Sequence, residues 1–263
     1  MNVSWHNTAI TDRGLAFGDG CFETVRLHNG RAPFWPQHKA RLLHGLAALQ
    51  ITADEALLDQ LLQQALKQCN GQGIFKLIVT RGTGGRGYSS HSALSAGYYP
   101  RVFPLTLPSK QAYTNGLQVG LCSLRLAEQP ALAGFKHLNR LEQVLARREV
   151  DEQGWDEGLL CDKAGNPVEL TAMNVFFRFS DTWWTPPLST CGVAGVARGW
   201  LLKQLNSVQL GEKPPNDLAL ASEAFACNSV AGILPVSRLQ QTDLPVGKLT
   251  QAFQQRWEAL WHD

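Results

Sequence analysis

The order of strand-like and helix-like segments constrains the fold more than any other feature of this sequence. Residues 21–27 and 32–35 have strand character and are joined by His28-Asn29-Gly30, whose Asn-Gly step is typical of a hairpin turn. Asp54 can cap a helix with leucines at helical spacing, and a strand-like segment follows at residues 74–80. Because strands and helices do not alternate as regularly as in a doubly wound sheet, the pattern favours an α+β fold in two unequal halves.

A polar, turn-rich stretch at residues 108–115 is the best candidate for a linker between the halves. Beyond it the pattern predicts a strand at residues 117–126 and a helix at residues 138–150. The chain has 263 residues, of which 44% are hydrophobic and 17% are charged. That composition excludes general disorder and favours a globule with a buried interface or pocket.

Charge and cysteine spacing exclude several classes of protein. The net charge of +2 gives no reason to expect a nucleic-acid partner. The six cysteines lie far apart and the seven histidines show no ligand spacing, so we expect buried thiols in a reducing cytosol and no metal site. The N-terminus lacks the pattern of a secretory signal, and no apolar run approaches the about 18 residues of a membrane span. We therefore expect a soluble, cytoplasmic protein.

Two residues could carry chemistry, and each has a simpler interpretation. Lys136, in the segment Gly134-Phe135-Lys136-His137, is either an exposed lysine or a nucleophile that forms a Schiff base. Glu169 is either a surface carboxylate or a buried one. A buried carboxylate needs a cationic or hydrogen-bonding partner, and a protonated pyridine nitrogen would be such a partner.

Two glycine-containing segments could bind anions. Gly195 precedes a helix-compatible sequence, and the N–H groups at a helix start suit a phosphate. The stretch Gly82-Thr83-Gly84-Gly85-Arg86-Gly87-Tyr88 lacks the Lys-Ser/Thr ending of a P-loop. It is either an ordinary solvent loop or a flexible loop that carries an arginine into a pocket.

Taken in order, these segments resemble the fold-type IV pyridoxal-phosphate enzymes, which include branched-chain and D-amino-acid aminotransferases and the aminodeoxychorismate lyases. The resemblance rests on Phe17-Gly18-Asp19-Gly20-Cys21-Phe22-Glu23-Thr24-Val25-Arg26, His38-Lys39-Ala40-Arg41-Leu42, Lys136, Glu169-x-Thr171-x-x-Asn174-Val175-Phe176 and Gly195-Val196-Ala197-Arg198. It implies an α+β protein of two α/β domains, residues 1–107 and a cofactor-binding domain at 116–263, with pyridoxal 5'-phosphate in the cleft between them. Trp183 departs from the family's signature, where an aliphatic residue or Phe is usual.

The resemblance also implies a set of cofactor-binding residues. Lys136 matches the lysine that holds the cofactor, and Glu169 matches the carboxylate that faces the pyridine nitrogen. The phosphate-binding positions are matched by Arg41, by the backbone N–H groups of Val196 and Ala197, and by the hydroxyl of Ser229.

The substrate-side positions of the family are matched by Thr24, Arg26, Arg86 and Tyr88. Thr24 matches a position that could assist catalysis beside Lys136. Leu141 stands where the aminotransferases have a tyrosine, five residues after the lysine, so the partner of the cofactor's phenolic oxygen stays open.

Two segments favour the lyase members of the family: Gly84-Gly85-Arg86-Gly87-Tyr88-Ser89 and Lys136-His137-Leu138-Asn139-Arg140-Leu141-Glu142-Gln143. The resemblance implies conversion of 4-amino-4-deoxychorismate to 4-aminobenzoate and pyruvate, a step of folate biosynthesis, by a homodimer. The first alternative is an aminotransferase acting on D-amino or branched-chain amino acids. The second alternative, from another class, is a catalytically idle protein that binds the cofactor.

Overall fold

The described residues, 2–3, 10–90 and 95–262 of this computed structural model, fall into two units. The first unit comprises residues 1–106 and residues 135–139. The second unit comprises residues 107–134 and 140–263. The five residues around Lys136 therefore belong to the first unit, although the chain on either side of them belongs to the second.

The first unit is a sheet covered by two long helices. Its elements are β1 (Asn2–Val3), α1 (Arg13–Phe17), β2 (Gly20–His28), α2 (Trp35–Ala48), α3 (Glu55–Gln68), β3 (Gln72–Thr80) and β4 (Gly97–Pro104). The strand order is β1-β4-β3-β2, with β2, β3 and β4 antiparallel and β1 parallel to β4.

Helix α3 forms because its leucines share one face and Asp54 caps its first turn. The Asp54 carboxylate accepts a hydrogen bond from the Leu57 N–H (3.0 Å), which confirms the predicted cap. Leu58 and Leu61 are buried in the same core cluster as Phe75 of β3. Successive residues of a strand point to opposite faces, and alternate residues of β3, namely Phe75, Leu77 and Val79, lie in this core.

The predicted strand at 21–27 is confirmed within β2, but the predicted strand at 32–35 is wrong. His28 and Arg31 form only an isolated bridge, and α2 begins at Trp35. Pro33 and Pro36 have no N–H to donate to a ladder, whereas Pro36 fits the first turn of a helix.

The second unit contains a nine-stranded sheet. Its elements are α4 (Lys110–Asn115), β5 (Leu117–Leu126), α5 (Leu141–Gln153), β6 (Glu157–Asp162), β7 (Pro167–Leu170), β8 (Asn174–Phe179), β9 (Thr182–Thr185), α6 (Val196–Gln204), β10 (Val208–Leu210), α7 (Pro215–Leu218), β11 (Glu223–Asn228), β12 (Gly232–Leu239), β13 (Thr242–Asp243) and α8 (Lys248–Ala259). The strand order is β10-β9-β8-β11-β12-β5-β6-β7, and β13 pairs with β12. Sheets and helices in both units confirm the predicted α+β class.

Aromatic side chains fill the core around β8, β9 and β11. Phe176 stacks on Phe225 with 5.0 Å between ring centroids, and Trp183 packs on Phe225 at 4.8 Å. Trp184 packs against Phe177, and its indole N–H donates to the Gly211 carbonyl (3.0 Å). Trp183 and Trp184 are therefore part of the core, and the indole N–H of Trp184 has a hydrogen-bond partner there.

The structure differs from the sequence prediction at the start of α5, and it places a short helix in the predicted linker. Helix α5 begins at Leu141 and not at Leu138, because the Leu138 N–H donates to the Gly20 carbonyl (3.0 Å). Helix α4 occupies most of residues 108–115, the stretch predicted as a linker. The hydroxyl of Tyr113 in α4 donates to the Ala231 carbonyl (2.7 Å) within the second unit.

Candidate active site

Lys136 lies in a short segment that pairs with the start of β2. The Phe22 N–H donates to the Lys136 carbonyl (2.9 Å), and Cys21 and His137 form an antiparallel bridge. The Lys136 ammonium lies 4.6 Å from the centroid of the Phe22 ring, within range of a cation–π interaction. Lys136 is half-buried, so the interpretation of an exposed lysine does not hold.

Glu23, the residue after Phe22, forms a buried hydrogen-bonded network with two residues of α2. Its carboxylate accepts hydrogen bonds from Nδ1 of His38 (2.6 Å) and from Nε and Nη2 of Arg41 (2.7 and 2.6 Å). Burial alone would raise the pKa of Glu23, but the Arg41 guanidinium and the His38 ring outweigh it and lower that pKa to about 2. Glu23 is therefore an ionised anchor for the Arg41 guanidinium.

His38 is neutral in this network. Burial lowers the pKa of His38, and the nearby charges of Arg41 and Lys136 lower it further, against the opposing effect of Glu23. A neutral ring that gives its Nδ1 proton to Glu23 leaves Nε2 as an acceptor. That Nε2 atom is buried and makes no hydrogen bond to any described residue.

Glu23 and His38 are the site residues that the sequence analysis missed. Both lie in motifs that carry the family resemblance, but neither was assigned a role. The available signal was that Glu23 alternates with Phe22 along β2, while His38 and Arg41 share one face of α2 at a spacing of three residues.

Thr24 and Arg26 follow Phe22 on the same face of β2, because alternate residues of a strand share a face. Thr24 is half-buried and lies opposite Lys76 in the ladder with β3. Arg26 is buried, with 4% of its surface exposed. The Lys76 ammonium also lies 5.4 Å from the Phe22 ring centroid, so this face of the sheet carries several cationic groups.

Arg86 and Tyr88 lie on the exposed glycine-rich loop that follows β3. Tyr88 is 86% exposed, and its ring lies 5.4 Å from the ring of Phe17. Both residues belong to the first unit, as do Lys136, Thr24 and Arg26.

Glu169, on β7 of the second unit, is a buried carboxylate with 4% exposure. One of its oxygens accepts a hydrogen bond from the side-chain amide of Gln143 on α5 (3.2 Å). The other accepts from the Val193 N–H (2.8 Å). These contacts favour the buried interpretation of Glu169, and they identify Gln143 as a supporting residue that the sequence alone did not reveal.

Asn174 holds the loop that leads into α6. Its side-chain amide donates to the Val193 carbonyl (2.9 Å), and its side-chain oxygen accepts from the Gly195 N–H (3.1 Å). A Cβ atom at Gly195 would collide with that oxygen, so the close approach requires glycine. Helix α6 then begins at Val196 without a side-chain cap, and Val196 and Ala197 are buried.

The start of α6 fits a phosphate group. The N–H groups of Val196 and Ala197 lie in the first helical turn, where backbone donors lack helical partners and the helix dipole is positive. Ser229 lies half-buried in the turn between β11 and β12, next to Asn228. The Asn228 side-chain oxygen shapes this turn by accepting from the N–H groups of Val230 (3.0 Å) and Ala231 (2.7 Å).

Other kinds of site are not found in the part of the chain that the structure describes. No group of three or more histidine, cysteine or acidic side chains there could hold a metal ion, and His6 and His91 lie outside the described residues. All six cysteines are free thiols. No helix among the described residues is long and apolar enough to cross a membrane.

The chain belongs to the class IV aminotransferase family, whose family model matches residues 20–239. This is a family of pyridoxal-phosphate-dependent enzymes. The matched span includes Lys136 and Glu169 as well as the start of α6. The family expected from the motifs is thereby confirmed, together with its fold type.

Two lyases are similar to the chain over nearly its whole length. It is 36% identical to the aminodeoxychorismate lyase of Vibrio harveyi over 93% of both chains. The crystal structure of 4-amino-4-deoxychorismate lyase from Pseudomonas aeruginosa matches with a TM-score of 0.93 and 39% identity, covering 97% of this chain and 95% of that one. A D-alanine aminotransferase of Bacillus licheniformis is 28% identical over 88% of this chain and 82% of its own length.

We predict that Glu23→Gln lowers the free energy of unfolding by about 3 kcal/mol at pH 7, because it leaves Arg41 without its buried anion. Since the pKa of Glu23 falls from 4.5 to about 2 on folding, its ionised form stabilises the protein fully above about pH 4.5. That contribution decreases by about 1.4 kcal/mol per pH unit as the pH falls from 4.5 towards 2.

Urea denaturation of both proteins between pH 7 and pH 3 measures this difference. Glu152→Gln, on the exposed side of α5, is the control and should change stability little at any pH. A difference between wild type and Glu23→Gln that stays constant from pH 5 to pH 3 would contradict an ionised Glu23.

Proposed function

We propose that this protein is a pyridoxal-phosphate-dependent lyase that converts 4-amino-4-deoxychorismate to 4-aminobenzoate and pyruvate, a step of folate biosynthesis. The observation that carries the proposal is that the chain shares 36% and 39% sequence identity with two lyases over more than nine-tenths of its length. The aminotransferase relative named above is 28% identical over a smaller share of the chain. The Lys136 and Glu169 environments supply the groups that such a reaction requires.

Six residues would hold the cofactor. Lys136 would bind its aldehyde carbon, and Glu169 would face its pyridine nitrogen. Its phosphate would be bound by Arg41, by the N–H groups of Val196 and Ala197, and by the hydroxyl of Ser229. When bound, pyridoxal phosphate supplies an electron sink for the carbanion that forms at the substrate.

These assignments come from the family resemblance, and the chemistry around Arg41, the start of α6 and Glu169 supports them. A guanidinium fixed by Glu23 and a helix start without a cap both favour a phosphate. The hydrogen bonds from Gln143 and Val193 hold the carboxylate of Glu169 in one orientation. An ionised carboxylate at a pyridine nitrogen keeps that nitrogen protonated, which strengthens the electron sink.

Lys136 would serve as the base in the proposed reaction once the substrate amine has displaced the Lys136 amine and left it free. Its amine removes the proton from the ring carbon that bears the substrate nitrogen. The bond between the ring and the enolpyruvyl oxygen then breaks, the electron pair leaves with that oxygen, and the ring becomes aromatic. The released enol takes a proton on its terminal carbon and loses its hydroxyl proton, which gives pyruvate. The leaving oxygen receives its proton from Lys136 or from Thr24, which shares a strand face with Phe22.

Arg26 and Arg86 bind the two carboxylates of the substrate in this proposal, because a guanidinium matches a carboxylate with two parallel hydrogen bonds. Tyr88 lies two residues from Arg86 on the same loop. In this proposal its side chain also faces the substrate. The burial of Arg26 makes a carboxylate bound there a strong contact, since the pair would be shielded from water.

The direct test is to incubate the purified protein with pyridoxal phosphate and 4-amino-4-deoxychorismate and to measure both products. We expect 4-aminobenzoate and pyruvate in equal amounts. Lys136→Ala should lower turnover by at least about 1,000-fold, because it removes the base and the residue that binds the cofactor. The control is Lys67→Ala, an exposed lysine of α3, which should retain wild-type turnover.

The two alternative functions give different results in the same assay. An aminotransferase would convert the bound cofactor to its amine form with D-amino or branched-chain amino acids and would release no 4-aminobenzoate. An idle cofactor-binding protein would show the absorbance of bound cofactor and no turnover with either substrate. Either result would overturn the proposed lyase.

We also propose a cytoplasmic homodimer, with residues 1–107 as the N-terminal domain and 116–263 as the cofactor-binding domain. Six free thiols are in keeping with a reducing compartment. Helix α5 carries an exposed apolar stripe: Leu141 is 75% exposed, Val144 is 56% exposed and Leu145 is 51% exposed. An exposed cluster of this kind on one helix face is typical of a protein interface.

We predict that the double variant Val144→Asp/Leu145→Asp elutes with the mass of one chain in size-exclusion chromatography with light scattering, whereas the wild type elutes with the mass of two. Two charges cannot be buried without partners in an apolar interface. The control is Leu220→Asp, a leucine that is 78% exposed outside α5, which should remain dimeric. A double variant that stays dimeric would show that the stripe is not the interface.

A further inference from the structure

Arg13 is a buried arginine that the proposed reaction does not use. It lies in α1, and 4% of its surface is exposed. Its Nε donates to the carboxylate of Asp19 (2.9 Å). Its other nitrogens donate to three consecutive backbone carbonyls of the glycine-rich loop: Gly87 (2.9 Å), Tyr88 (2.9 Å) and Ser89 (3.3 Å).

Hydrogen bonds of Arg13 and of its neighbour Asp12 fix the position of Arg13 in the first unit. The Arg13 N–H donates to the Gly82 carbonyl (2.9 Å), and the preceding residue, Asp12, caps α1. The Asp12 carboxylate also accepts from the hydroxyls of Thr80 (2.8 Å) and Tyr99 (2.7 Å). These bonds tie the start of α1 to the ends of β3 and β4.

The loop that Arg13 contacts has little packing of its own. A Cβ atom at Gly85 or Gly87 would meet nothing within 4 Å, and Gly87 has a φ of +87°. Arg86 and Tyr88 point their side chains to an exposed surface. A glycine-rich segment with so little packing samples many conformations, so the hydrogen bonds from Arg13 to its carbonyls, together with the contact between the Tyr88 and Phe17 rings, limit it.

We propose that Arg13 is a positioning residue for substrate recognition: it fixes the backbone at residues 87–89 and thereby holds Arg86 and Tyr88 in place for the substrate carboxylates. The inference rests on the proposed function, in which Arg86 and Tyr88 face the substrate. A loop that is ordered before binding costs less conformational entropy when the substrate binds. Loss of Arg13 therefore weakens substrate binding and leaves the chemistry at Lys136 intact.

Arg81 supplies a matched control, because it binds the same carboxylate but different carbonyls. Its Nε donates to the Asp19 carboxylate (2.7 Å), and its other nitrogens donate to the carbonyls of Leu49 and Gln50. Arg13→Met and Arg81→Met thus each remove one arginine from Asp19. Only the first removes hydrogen bonds to the loop carbonyls.

The first measurement is limited proteolysis with trypsin, which cuts after Arg86 when the loop is free to adapt to the protease. We expect Arg13→Met to be cut at this bond about tenfold faster than wild type, and Arg81→Met to be cut at the wild-type rate. The rate of cleavage after Arg147, in α5, reports any general loss of stability in the same digest. Equal cleavage after Arg86 in all three proteins would overturn the proposal.

The second measurement is steady-state kinetics of the holoenzyme with 4-amino-4-deoxychorismate. In Arg13→Met we expect KM to rise about tenfold, while kcat and the cofactor absorbance stay within about twofold of wild type. Arg13→Lys, which restores a charge but not the fork of donors, should give an intermediate KM. Arg81→Met should keep the wild-type KM.

The two measurements separate the failure of this proposal from that of the proposed function. Faster cleavage after Arg86 with an unchanged KM would show that Arg13 holds the loop but does not serve the substrate, which overturns the positioning role. A wild-type protein without lyase activity would overturn the proposed function and the substrate role with it. The cleavage pattern would still decide whether Arg13 fixes the loop.

Discussion

The pairing of residues 135–139 with β2 is the interaction on which the position of Lys136 depends. Hydrogen bonds from Phe22 to Lys136 and from Leu138 to Gly20 fix the backbone on both sides of His137. The Lys136 ammonium is thereby set over the Phe22 ring.

Because successive side chains of a strand point to opposite faces, β2 has different groups on its two faces. Phe22, Thr24 and Arg26 share the face proposed to meet the substrate. Glu23 points the other way and is ionised by its contacts with His38 and Arg41. The net charge of +2 did not reveal this arrangement, because it sums over the whole chain. The cationic side chains beside β2 are few, and only the fold brings them together.

The local sequence pattern correctly predicted the helices and strands that form from the properties of their own residues. The leucines and the Asp54 cap of α3, and the alternation of β2, needed no information from distant residues. The start of α5 was predicted three residues early, because Leu138 and its neighbours have helical composition but pair with β2 instead. The roles of Glu23, His38 and Arg13 could not be predicted, since each depends on contacts between segments far apart in the chain. Glu23 and His38 are 15 residues apart, and Arg13 and Gly87 are 74 apart.

Lys136, placed by its pairing with β2, is the residue that we propose carries the cofactor. Borohydride reduction of the holoenzyme makes the link between a lysine and pyridoxal phosphate permanent, and mass spectrometry of the tryptic peptides then locates it. We predict that the pyridoxyl phosphate mass is found on Lys136. A label on Lys76, the other lysine beside Phe22, or the absence of any labelled peptide would contradict the claim.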